Sequence, residues 1–171
     1  MTTQSSKATP NTQDPDVRTE HSRPENTSPA YPRVGEVFEL TLDFDAPANE
    51  AMEMVEEFGY NSSGWSHVGA KITGQQTRRF KLAQIGYCSN IDKVKTKTAA
   101  LGTTPEGQWI NAFKAAYPVP DGQGPIGIAD DSWIAADGRA NYPYLLAVGL
   151  QHFNYAGHVR GDDWRWLVVD E

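Results

Sequence analysis

Cysteine is nearly missing from this chain: Cys88 is the only one in 171 residues. No disulfide can close within the chain, and nothing in the cysteine count points to an oxidising compartment, so a reducing, cytoplasmic location is expected. Long apolar runs are missing as well. No segment approaches the ~18 apolar residues of a membrane-spanning helix, and the first residues carry no apolar stretch after their charges, so neither insertion nor secretion is expected. No repeat recurs at solenoid or propeller spacing. Basic residues are in short supply, 15 Lys and Arg against 22 Asp and Glu, for a net charge of -7. A bulk grip on a phosphate backbone is therefore disfavoured, because counterion release needs clustered cations.

What is present is unevenly placed. Residues 36–57 carry eight acids and no base, whereas residues 71–97 carry seven bases and only Asp92 as an acid. The simplest reading is that the two blocks face each other and solvent. The other reading gives Arg78, Arg79, Lys81, Lys93 and Lys97 a role in phosphate or RNA contact. Ten of the eighteen aromatic residues, including four of the five tryptophans, fall between Thr104 and Glu171. Packing, and a recognition surface, are expected there.

Residues 1–30 are rich in Thr, Ser, Pro, Asn and Gln, with Val17 as the only large aliphatic after the start. They cannot bury enough apolar area to offset chain entropy and are expected to be a disordered tail. Residues 31–171 then form a single domain, a size that buries roughly two thirds of its unfolded surface without a staple.

Phe38, Leu40, Leu42 and Phe44 alternate with Glu39, Thr41 and Asp43, the period of two of a strand with one buried face. Pro47 suits a first helical turn, and Ala51, Val55 and Phe58 follow at helical spacing before Gly59, with Glu50, Glu53 and Glu57 on the outer side. A less regular strand is expected over 77–85. Ser89 is the candidate cap of a second helix that ends at Gly102, and Thr104 with Pro105 the candidate start of a third, stopped at Pro118. Asp137-Gly138 is a strong hairpin signal, and 144–148, 151–155 and 164–169 are further strand candidates. The sum is an α+β fold: one mixed or antiparallel sheet, about three helices and an aromatic-rich carboxy-terminal antiparallel ribbon.

Several motifs invite chemistry. Gly122, Gly124 and Gly127 satisfy G-x-G-x-x-G, yet a dinucleotide loop needs a strand before it and a helix after it, and here a helix precedes and a hairpin follows. The segment reads as a turn-rich loop. Asp130 and Asp131 with His152 could divide acid, base or metal-ligand roles, although neighbouring residues on an extended chain point oppositely. His152 and His158 follow no recognised ligand spacing, so no metal and no cofactor is expected. Cys88 beside a helix start is the best nucleophile candidate but reads as buried filler, and Ser66-His67 are adjacent without an elbow around them.

The leading expectation is a non-enzymatic module whose ribbon docks a protein partner through Trp133, Arg139, Tyr144 and Arg165, because tryptophan, tyrosine and arginine are enriched at recognition hot spots. Nucleic acid is the less favoured partner, since residues 106–171 hold nine acids against four bases. A small hydrolase using Asp130 or Asp131 with His152 is the enzymatic alternative.

Overall fold

A computed structural model describes residues 27–158 and 161–171. The expected tail lies outside the described residues over 1–26; Tyr31, just beyond it, already packs edge-on against Phe113 at 5.1 Å between ring centroids. The fold is α+β, with three helices and one mixed eight-stranded sheet.

The alternating segment forms β1 (Val37–Asp43). Its inward residues Leu40 and Leu42 are buried while Glu39, Thr41 and Asp43 are exposed, as a half-buried strand requires. β1 pairs antiparallel with β3 (Gln75–Ala83), so that Glu39 faces Arg79 and Thr41 shares a 2.8 Å side-chain hydrogen bond with Thr77. Part of the acidic block thus lies directly against part of the basic one. β3 continues antiparallel to β8 (Arg165–Val169). β8 runs parallel to the two-residue β4 (Ile126–Gly127), which pairs antiparallel with β6 (Ala140–Leu145). β6 also takes β5 (Trp133–Ile134) on one side and β7 (Gln151–Tyr155) on the other, and β5 carries β2 (Ser66–His67) at the end of the path.

Helices cover both faces. The first helix is split: Pro47–Asn49 make one tight 3-10 turn, Glu50 is extended, and α1 (Ala51–Glu57) follows, burying Met54 and Val55. α1 and α3 (Trp109–Ala116) pack on the larger core with Phe80, Leu82, Leu145 and Leu167. α2 (Ile91–Thr98) closes a second cluster of Cys88, Val94, Tyr142 and Trp166. Each large apolar side chain buried this way stabilises by roughly 1.5–3 kcal/mol.

Two helix starts differ from expectation. The cap of α2 is Asn90, whose side chain accepts from the Lys93 amide, rather than Ser89. α3 begins at Trp109 rather than near Thr104; Thr103 is bridged to Val169 of β8, and the Gly107 amide donates to Asp130 Oδ2. The hairpin at Asp137-Gly138 forms as expected, with Gly138 at φ +81° and its amide donating to Ala135 O. No helix follows Gly122–Gly127, so the glycine motif has no dinucleotide context.

β8 needs cover on both sides. Leu167 and Val169 pack into the larger core and Trp166 into the second cluster. Arg165 shares the parity of Leu167, and at 4 % exposure it is balanced by a forked pair: Nη1 to Asp121 Oδ2 at 2.6 Å and Nη2 to Asp121 Oδ1 at 2.9 Å, with Nη2 also donating to Gly124 O. Burial pushes the Asp121 carboxyl up, but the Arg165 hydrogen bonds and the Gln123 amide outweigh it and hold the group below the ordinary carboxylate range. Arg165→Ala, which strips one partner from this pair, should lower unfolding free energy by about 3 kcal/mol. Arg139→Ala, removing an exposed ion pair with Asp137, should change it by at most about 1 kcal/mol. Urea denaturation of the two variants checks both, and an unchanged midpoint for Arg165→Ala would show that the fork contributes nothing.

Candidate functional site

The sheet opens at one place. Gly127 pairs with Tyr144 and Trp133 with Asn141, so five residues, 128–132, span a stretch that only Tyr142 and Pro143 occupy on β6. The three extra residues make a large bulge of the kind that re-aims side chains beside functional sites. Asp130 ties the loop down. Its Oδ2 accepts from Gly107 N at 2.8 Å, and its Oδ1 accepts from Ser132 N at 3.2 Å and from Ser132 Oγ. Asp131 turns the other way, to a 2.6 Å ion pair with Lys95 of α2.

His67 arrives from β2, which pairs with β5 in the register His67 opposite Trp133. Its ring lies 4.5 Å from the Trp133 ring, and its Nε2 is buried without a hydrogen-bond partner. Burial lowers the affinity of the imidazole for a proton, and the nearby Asp130 charge only partly restores it, so the ring's pKa lies below its ordinary value. Gly69 permits the arrangement: a Cβ there would stand 2.8 Å from His67 Cε1, His67 Nε2 and Ser132 Oγ. The backbone at Gly69 is not left-handed, so the constraint is close approach rather than turn geometry.

Two cavities meet at His67, Gly69 and Ala70. One, of about 330 Å³, is lined by Lys95, Glu106, Asp130, Asp131 and Ser132 among others. The other, of about 460 Å³, has apolar walls from Phe44, Met52 and Ile72, with Asp45, Glu50 and Lys71 among its remaining lining residues. Gln108 also lines the second cavity. It occupies the N-cap position of α3 without capping, is 8 % exposed, and its Oε1 accepts no hydrogen bond. Buried amide oxygens are normally satisfied, so two such unpaired polar atoms lining one cavity stand out.

The residues expected from the sequence to act together are dispersed. Trp133 is fully buried, its indole N–H donating to Ala51 O at 3.1 Å, and Arg165 is buried on Asp121; neither can meet a partner from outside. Of the four residues expected to form a docking face, these two are engaged inside the fold. Arg139 closes its own turn on Asp137 and lies over the Tyr155 ring, while Tyr144 is half-buried against Trp164 and His152. His152 contacts Tyr60 and Tyr144 and does not line the cavity that holds Asp130 and Asp131, so the expected Asp–His grouping does not assemble. Asp130 and Asp131 do line one cavity, with His67 in place of His152.

The basic segment is largely engaged. Arg78 bonds Glu106 and Gln76, Arg79 and Lys81 both meet Asp170, and Lys97 donates to Ile85 O and Tyr87 O, leaving Lys93 exposed on α2. Among the described residues, no group of three or more His, Cys, Asp or Glu side chains converges as a metal site would require.

No family model matches this chain, and comparisons with curated proteins and with solved structures give no match either. The site therefore rests on geometry alone.

The depressed His67 pKa fixes a sign. The unfolded chain takes up the proton first, so His67 contributes a loss of stability as pH falls through about 6.5, which levels off once the folded ring is also protonated. An NMR titration of the His67 ring should give a midpoint below 6.5 that rises toward it in Asp130-intact variants whose ring is exposed. A midpoint at or above 6.5 in the native protein would refute the burial.

Proposed function

We infer that this chain is a non-enzymatic binding module whose ligand is a small molecule held in the cleft around His67, in a cytoplasmic setting that suits its single buried thiol. The observation that carries the reading is the buried, unpaired His67 Nε2 at the junction of two cavities. A neutral imidazole there can donate or accept one hydrogen bond, and leaving that nitrogen buried and unpaired costs about 1–3 kcal/mol, which a ligand recovers when the ring turns Nε2 toward the open cleft. Catalysis by Asp130 is less favoured, because its two oxygens already hold three donors and the group serves to fix the loop.

A second reading keeps a protein partner on the carboxy-terminal ribbon but moves the surface. Val119, Val148 and Leu150 are 58, 69 and 57 % exposed, and Gly149 of the β6–β7 turn sits against Pro120, so these apolar side chains share one neighbourhood.

The two readings separate in one experiment. ¹⁵N-labelled protein is titrated with a panel of small cationic, neutral and anionic compounds. Ligand-dependent shifts should concentrate at Gly69, Ala70, Gly107 and Ser132, and Gly69→Ala, whose methyl would displace both His67 and Ser132, should weaken them at least about tenfold. Shifts confined to Val119, Val148 and Leu150 would replace the cleft with the ribbon surface.

A further inference from the structure

We propose that the larger cavity selects an alkylammonium or alkylguanidinium group, its carbon chain against Phe44, Met52 and Ile72 and its cation at Asp45 and Glu50. The proposal rests on the cleft reading above and adds the chemistry of the ligand.

Three observations converge. First, two carboxylates and an unpaired amide oxygen are among the lining groups. Gln108 Oε1 is buried and accepts nothing, and the Glu50 carboxylate makes no hydrogen bond or ion pair among the described residues, although Glu50 stands at the N-cap position of α1. Asp45 uses Oδ2 to hold the Gly74 amide, which positions the carboxylate without neutralising it. A ligand rich in donors satisfies such a set, and a carboxylate or phosphate does not. Second, the surrounding charge has one dominant sign. One side of the cavity comes from the 36–57 block, with its eight acids and no base, and among the lining residues the acids Asp45 and Glu50 face a single cation, Lys71. Glu53 lies exposed one helical turn beyond Glu50 and adds to the same field. Third, Phe44, Met52 and Ile72 give part of the lining an apolar surface, and the volume of about 460 Å³ accommodates a chain of several carbons. Asn49, which also lines the cavity, already bonds Asp43 O and the Asn111 side chain and offers little to a ligand.

The same chemistry is available from a free amine or from a lysine or arginine side chain of a partner protein. Both are tested with n-pentylammonium and with a blocked peptide containing one lysine, alongside pentanoate and pentanol as anionic and neutral counterparts of equal length. Binding is followed by amide shifts at Phe44, Glu50, Lys71, Ile72 and Gln108. Pentylammonium should shift these amides and pentanoate should not. Glu50→Gln should weaken it about fivefold, the effect of one partly screened charge, and Lys71→Gln should strengthen it by a similar factor. Added salt should reduce the affinity. Stronger binding of the peptide than of the amine assigns the site to a partner's side chain, and the reverse assigns it to a free amine. Pentanol or pentanoate occupying the cavity more tightly than pentylammonium overturns this proposal while leaving the cleft in place, and failure of all the probes to shift these amides removes both. Amine binding that is indifferent to both Glu50→Gln and Lys71→Gln also overturns it. Glu50 is exposed and unbonded, so its replacement leaves the fold intact, which the spectrum of the free variant verifies.

Discussion

The Trp133 indole holds the rest of the site in position. Its N–H reaches Ala51 O at the start of α1, its ring stacks obliquely on His67 of β2 and Phe153 of β7, and its edge abuts Gly107 just before α3. Four elements therefore take their spacing from one side chain. A methyl at Gly107 would enter the space of the ring and of Pro143, so the approach depends on glycine. Asp130 closes the same joint from the other side through the Gly107 amide. The cleft is the room left beside a rigid junction.

Charge is handled by the same local economy. The basic block gains little from long-range attraction, because Arg78, Arg79 and Lys81 meet Glu106 and Asp170 within hydrogen-bonding reach. These contacts spread over elements far apart in sequence, and one of them, Glu106, also accepts from the Trp109 indole. The acidic block is matched less fully: Glu39 faces Arg79, but the α1 glutamates remain exposed. An unbalanced negative surface beside an apolar cavity is the residue of that asymmetry.

How much of this the sequence disclosed depended on range. The β1 strand was legible because its alternation is unbroken from Phe38 to Phe44, and the Asp137-Gly138 turn because glycine alone suits its left-handed backbone. The stop of α3 before Pro118 was likewise local. The start of α3 was not, since the residues before it are held by partners far away in sequence, Thr103 by Val169 and the Gly107 amide by Asp130. The strands β2, β4 and β5 have two residues each, too few to show a period. His67 was seen only beside Ser66, whereas its meaning comes from Trp133 across the sheet and from Gly69, whose missing side chain carries no sequence signal of its own. Trp133 was expected on a recognition surface; it fills the interior with Trp109 and Trp166, because both faces of the sheet are covered.

Cys88 sits 2 % exposed in the cluster beneath α2, and the chain has no other sulfhydryl. An alkylating reagent can reach that sulfur only when the helix lifts or the whole molecule opens, so the labelling rate becomes a clock for the opening of one face of the sheet. Nature has left the chain with a single built-in reporter, silent while the native packing lasts.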